Sequence, residues 1–114
     1  MTDIKIFKNN GNIVCVECSG HTGYAQHGED IVCAALSSIV QTAGLGILCV
    51  AKINAKVEQK DMEGYFKITL PNNLSEEDLK SAQIIFQTML CGILELRNEY
   101  SDFINLEVIE NVYV

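Results

Sequence analysis

Two histidines and a cysteine crowd one glycine-punctuated stretch, "SGHTGYAQHGEDIVCAALS", Ser19 to Ser37. His21 and His27 are the only imidazoles in the chain, and Cys33 falls where an uncharged apolar run begins. A thiol beside an imidazole is the minimum set for an activated nucleophile. Asp30 is a good N-cap, which predicts a helix starting there with Cys33 as its third residue. A sulfur at that position meets unpaired backbone N–H groups and the positive end of the helix dipole, a setting that favours a thiolate. A loop spanning residues 20–30, with Gly23 and Gly28, can fold His21 back over the helix start. Asp30 has two opposed readings: it can cap or orient His21, yet its charge works against thiol ionisation. Ser37, one turn after Cys33, can hydrogen-bond a substrate or the sulfur, or simply bond back to the helix.

The other cysteines invite plainer readings. Cys49 and Cys91 sit inside apolar helical runs and are expected in the core. Cys15 and Cys18 form a C-x-x-C, but a strand points residues three apart to opposite faces, which argues against chelation. A mixed zinc site from Cys18, His21, His27 and Cys33 has the right ligand number and remains an alternative to catalysis. Otherwise His27 reads as an exposed loop residue.

The elements that must hold these residues follow from the patterning. The 114 residues make one domain, 1–114, and 48% hydrophobic with 20% charged residues is a globular balance. Ile4–Lys8 and Ile13–Cys18 alternate like strands around "NNGN", a hairpin signal. Lys56–Lys60 and Tyr65–Leu70 form a second hairpin turned at "DMEG" and closed by Pro71. Ser75 and Asp78 make a capping-box-like start, followed by Leu79, Ala82, Phe86, Met89, Leu90 and Ile93 at helical spacing. "INLEVIE" is the last strand. The expected fold class is α+β: a two-layer ββαββαβ domain with two helices packed on a mixed β-sheet.

Ile31 to Ala51 carries no charge over 21 residues and by hydropathy alone qualifies as a membrane span. Ser37, Ser38, Gln41, Thr42, Gly44 and Gly46 within it, in a chain of alternating strands, point instead to a helix covered by the sheet on one side and by a second helix or a partner subunit on the other, and no membrane is expected. Eight basic against fifteen acidic residues give a net charge of −7. Nucleic acid is therefore a poor ligand, and a basic peptide a better one. Five cysteines, and an N-terminus with charges in its first apolar run, predict reduced thiols in the cytoplasm.

The run Gly20-His21, Gly23-Tyr24-Ala25, Gly28 and Asp30-Ile31-Val32-Cys33-Ala34-Ala35-Leu36-Ser37 resembles the signature of the ribosomal-processing cysteine protease family of small bacterial proteins. The resemblance implies a cysteine endopeptidase without cofactor or metal. It would remove a short N-terminal extension from ribosomal protein twenty-seven of the large subunit, a basic partner. It assigns Cys33 as nucleophile and His21 as general base, with Asp30 and Ser37 as accessory positions. Gly20, Gly23 and Gly28 match the loop glycines, and the loop is expected to close on substrate. The family's substrates are cut after an aromatic pair, which implies an apolar groove beside Cys33 that Tyr24 could wall, and its members resemble homodimers. The competing class is a ribosome-associated module that grips a peptide without cutting it.

Overall fold

A computed structural model describes residues 1–20, 27–60 and 64–111, with the side chains of 27–30 outside the description. Strands β1 (Thr2–Asn9) and β2 (Asn12–Ser19) lead into helix α1 (His27–Leu45), which runs on as one π-helical turn, Gly46–Val50. Strands β3 (Lys56–Lys60) and β4 (Tyr65–Thr69), helix α2 (Glu76–Glu99), a short 3-10 turn and strand β5 (Ile104–Ile109) complete the chain. The ββαββαβ order expected from the sequence is the order observed.

Local chemistry explains most boundaries. Asn10 and Gly11 both adopt positive φ, at 52° and 79°, as a type I′ turn between twisted strands requires. Gly64, at φ 62°, stands at the matching point before β4, while residues 61–63 of that turn lie outside the described residues. The Ser75 hydroxyl accepts the Asp78 N–H at 3.1 Å and starts α2, whose first turn holds Glu76, Glu77 and Asp78 at the positive end of its dipole.

The five strands lie in the order β3-β4-β2-β1-β5, antiparallel except for the parallel pair β1 and β5. Pairing of β1 with β2 steps between Phe7 and Lys8, so that Val14 has no opposite residue in β1. That step has a consequence for packing. It brings Ile13 onto the same side as Val16 and Cys18 in the hydrophobic core, while Cys15, although buried, stays outside that cluster. Gln83 of α2 then clamps the backbone of Ile13, its Oε1 accepting the N–H at 2.7 Å and its Nε2 donating to the carbonyl at 2.8 Å.

Both helices bury one stripe in a single core. Val32, Leu36, Val40, Ala43 and Ile47 from the first helical stretch meet Ala82, Phe86, Met89 and Ile93 from α2 over Ile4, Ile6, Val16, Phe66 and Ile68 of the sheet. The uncharged segment is thus a helix packed on the core and on α2, and part of its outer surface, including Ile31, Leu45 and Val50, is exposed. Residues Ile31–Val50 are long and apolar enough to cross a membrane by length and composition, and a core helix passes the same test.

Candidate active site

Helix α1 begins at His27, three residues before the expected cap. Asp30 is therefore the fourth helical residue and Cys33 the seventh, in the second turn, where its own N–H belongs to the i→i−4 ladder. Acidic residues suit the first helical turn as well as the cap, so Glu29 and Asp30 can follow His27 into the helix, and Gly28 weakens that turn without forbidding it. His27 and Gly28 accordingly belong to the helix and not to the loop, and the segment between β2 and α1 shortens to residues 20–26. The unpaired N–H groups lie about a turn before Cys33. Helical side chains lean toward the N-terminus, which brings the sulfur back in their direction.

What fixes the sulfur is Gly20. The space that a Cβ on Gly20 would need is occupied by Cys33 Sγ, so no larger residue fits at the end of β2 without displacing the thiol. The family resemblance places Gly20 among the loop glycines. Its role in the structure is close approach, as it sits without a positive φ and its N–H donates to the Gly64 carbonyl at 2.9 Å. That bond ties the end of β2 to the turn before β4. Thr2 at the start of β1 closes the niche, with its Oγ1 3.8 Å from the same Cβ position.

Cys33 is half-buried, and Cys18 beneath it is buried. Burial first, and then the electrostatic influence of Cys33, push the Cys18 thiol up to about 12, while a hydrogen bond with Ser37 works in the opposite direction. Cys18 stays protonated near neutrality, and Ser37 engages this thiol. Cys15 lies apart from the core and from Cys33, its Sγ 3.4 Å from Thr69 Oγ1, with its thiol also raised by burial. The C-x-x-C pair is thus split as the strand spacing required. Cys49 and Cys91 correct the sequence expectation, since both are exposed and neither belongs to the core. Uncharged neighbours marked their runs as apolar, but each falls on the outer side of its helix.

Beside the niche, Ser37 and Gln41 of α1 face Gln59, Gly64, Tyr65 and Phe66 across a cleft of about 140 Å³. Its walls carry a hydroxyl and two carboxamides, with the aromatic rings of Tyr65 and Phe66 below them. Tyr65 is held by its hydroxyl donating to Glu17 Oε2 at 2.7 Å, and burial and that bond push its phenol up. This is more polar than the apolar groove expected next to the thiol. A separate, largely apolar groove of about 440 Å³ lies between α1 and α2, lined by Ile39, Ala43, Ile84, Ile85 and Met89, and Tyr24, expected to wall the groove beside Cys33, lies outside the described residues.

Of the residues singled out in the sequence, Gly20, Cys33 and Ser37 come together. Asp30 and Gly28 have their backbone in α1, and His21, Gly23 and Tyr24 lie outside the described residues. Among the described residues no three His, Cys, Asp or Glu gather as a metal site would need. Thr2, Gly64, Gln41 and Gln59 escaped the sequence reading, because nothing in a local pattern links a first-strand threonine or a distant hairpin to Cys33.

A family model described as "Cysteine protease Prp" matches residues 1–105. The ribosomal processing cysteine protease Prp of Bacillus subtilis is 29% identical over 100 residues, covering 88% of this chain and 88% of the relative. Among solved structures, the ribosomal processing protease Prp from S. aureus in complex with a substrate peptide superposes with a TM-score of 0.83 at 27% identity, covering 95% of this chain and 99% of that one. The same S. aureus protease with a covalently linked product peptide gives a TM-score of 0.78 at 28% identity over the same shares.

Proposed function

This chain belongs to the cysteine protease Prp family, and from that premise we infer that Cys33 is its nucleophile, His21 its general base and acid, and the N-terminal extension of ribosomal protein twenty-seven its substrate. The observation that carries this reading is the niche at Gly20. Gly20, which precedes His21 in the chain, lies against Cys33 Sγ although thirteen positions separate it from the cysteine, and this supports the pairing of that histidine with the thiol. The covalently linked product peptide on the S. aureus relative supports a mechanism through a covalent enzyme intermediate.

In that mechanism His21 takes the Cys33 proton and the thiolate attacks the scissile carbonyl. The oxyanion is met by N–H groups of the first turn of α1, toward which the sulfur leans. The C–N bond then breaks as the imidazolium protonates the leaving amine, which leaves a thioester on Cys33. Water, deprotonated by His21, hydrolyses it and restores the thiol. Asp30 orients the imidazole, and Ser37, together with the cleft it lines, receives part of the peptide. Gly23 gives the segment before α1 the freedom to close on substrate, Gly28 loosens the first turn of the helix, and Tyr24 covers the bound aromatic residues. A surface of net charge −7 attracts the basic N-terminal region of a ribosomal protein.

The protein works in the cytoplasm as a homodimer. The groove between α1 and α2 and the exposed Ile84 beside it form an uncharged face suited to a second copy. The decisive test is mass spectrometry of a peptide spanning the extension and the mature N-terminus after incubation with the purified protein. One cut at the boundary is expected, and Cys33→Ala and His21→Ala should each lower the rate by about 10⁴-fold or more. Undiminished cleavage by Cys33→Ala would refute the assignment, and peptide binding without any cut would favour the gripping module.

A further inference from the structure

Thr2 is a buried polar residue that the reaction described above leaves unused. It is 1% exposed, and among the described residues its Oγ1 has no hydrogen-bond partner. Folded cores pair nearly all such atoms, and an orphaned hydroxyl calls for a reason. Its location supplies one. Thr2 Oγ1 and Cys33 Sγ border the same small space, the one left by the missing side chain of Gly20.

The other polar groups around that space are already engaged. The Gly64 carbonyl accepts the Gly20 N–H at 2.9 Å. Ser37 is hydrogen-bonded with Cys18, and Cys18 is itself a protonated thiol in the core. Asp3, next to Thr2 in β1, takes a hydrogen bond from Asn105 at 3.0 Å, and Tyr65 by the turn at Gly64 donates to Glu17. The side chains of His21 and Asp30 lie outside the description. Thr2 therefore keeps a donor in reserve beside the nucleophile.

We propose that Thr2 is a positioning residue for Cys33, its hydroxyl donating a hydrogen bond to Sγ when the sulfur is ionised and turning it toward the open side of the niche. A neutral thiol is a weak acceptor and gains little from this donor, whereas a thiolate gains much, so the contact favours the charged form. Valine has the same shape and suits the surrounding apolar core, and thus the hydroxyl itself is the element to be explained. The proposal rests on the reading of Cys33 as nucleophile.

The test compares the full chain carrying Thr2→Val, Thr2→Ser or Thr2→Ala with the unsubstituted protein. Alkylation of Cys33 by iodoacetamide is followed against pH and located by peptide mapping, with no substrate present. The alkylation midpoint is expected to move to higher pH by about one unit in Thr2→Val, and in Thr2→Ala should Thr2→Val fail to fold. Thr2→Ser should keep the original midpoint, and cleavage by Thr2→Val should lose kcat about tenfold with KM little changed. An unchanged midpoint in a folded variant without the hydroxyl would overturn the proposal. Equal losses in Thr2→Ser and Thr2→Val would overturn it too, by making the role one of packing. If the unsubstituted protein cleaves no peptide, the protease assignment fails separately, because the alkylation profile is read without substrate.

Discussion

At the scale of single residues the site depends on an absent side chain as much as on those present. Cys33 Sγ fills the volume in front of Gly20, and a β-carbon there displaces the sulfur from the niche. Gly20→Ala is expected to lower kcat/KM by about 10²-fold, since displacing a reacting atom by an ångström has that order of effect. Peptide kinetics alongside thermal denaturation should show activity lost far beyond any loss of fold. Wild-type rates in Gly20→Ala would mean that the niche does not hold the nucleophile. The buried Cys18 thiol shows why the nearest sulfur is no rival. Burial holds it protonated, and a protonated thiol is a poor nucleophile.

Among elements, the register of β2 decides which of its side chains see the core. A strict alternation would put Ile13 with Cys15, but the step at Val14 joins Ile13 to Val16 and Cys18. Beside that step Gln83 from α2 bonds both backbone polar groups of Ile13. Gln83→Leu removes a donor and an acceptor at once. It is expected to destabilise the protein by about 2 to 4 kcal/mol, measured by chemical denaturation, because two partly buried backbone groups lose their partners. A loss below about 0.5 kcal/mol would mean that water replaces the amide without penalty. The strand alternation of "NIVCVECS" cannot reveal this clamp, as its partner is seventy residues away.

For the whole molecule, the core and α2 cover one side of α1, and part of its outer surface remains open. Ile84, 62% exposed on α2, projects at the rim of the groove that α1 and α2 share. If that face joins two copies, Ile84→Glu places a charge at the centre of the contact and shifts the protein to monomer by about tenfold or more in dissociation constant. Sedimentation velocity over a range of concentrations reads the change directly. A dimer unaffected by Ile84→Glu would assign the contact to another surface, and a wild-type monomer would remove the homodimer from the account.

The order of elements, the first hairpin turn, the pairing of β3 with β4, the start of α2 at Ser75 and the cysteine-protease resemblance are legible in the sequence, because they rest on residues close together in the chain. Periodicity, turn chemistry and capping act over a few positions and are legible there. The start of α1 was misjudged at Asp30 because an acidic residue serves as a cap or within the first turn, and local chemistry does not choose between them. Cys49 and Cys91 were misplaced for a related reason: an apolar run with no charged face does not say which side the sheet covers. Only the tertiary structure brought Thr2, Gly20, Cys33 and Gly64 to one point, because they arrive there from β1, β2, α1 and the second hairpin, and pairing between strands, not local pattern, sets that meeting.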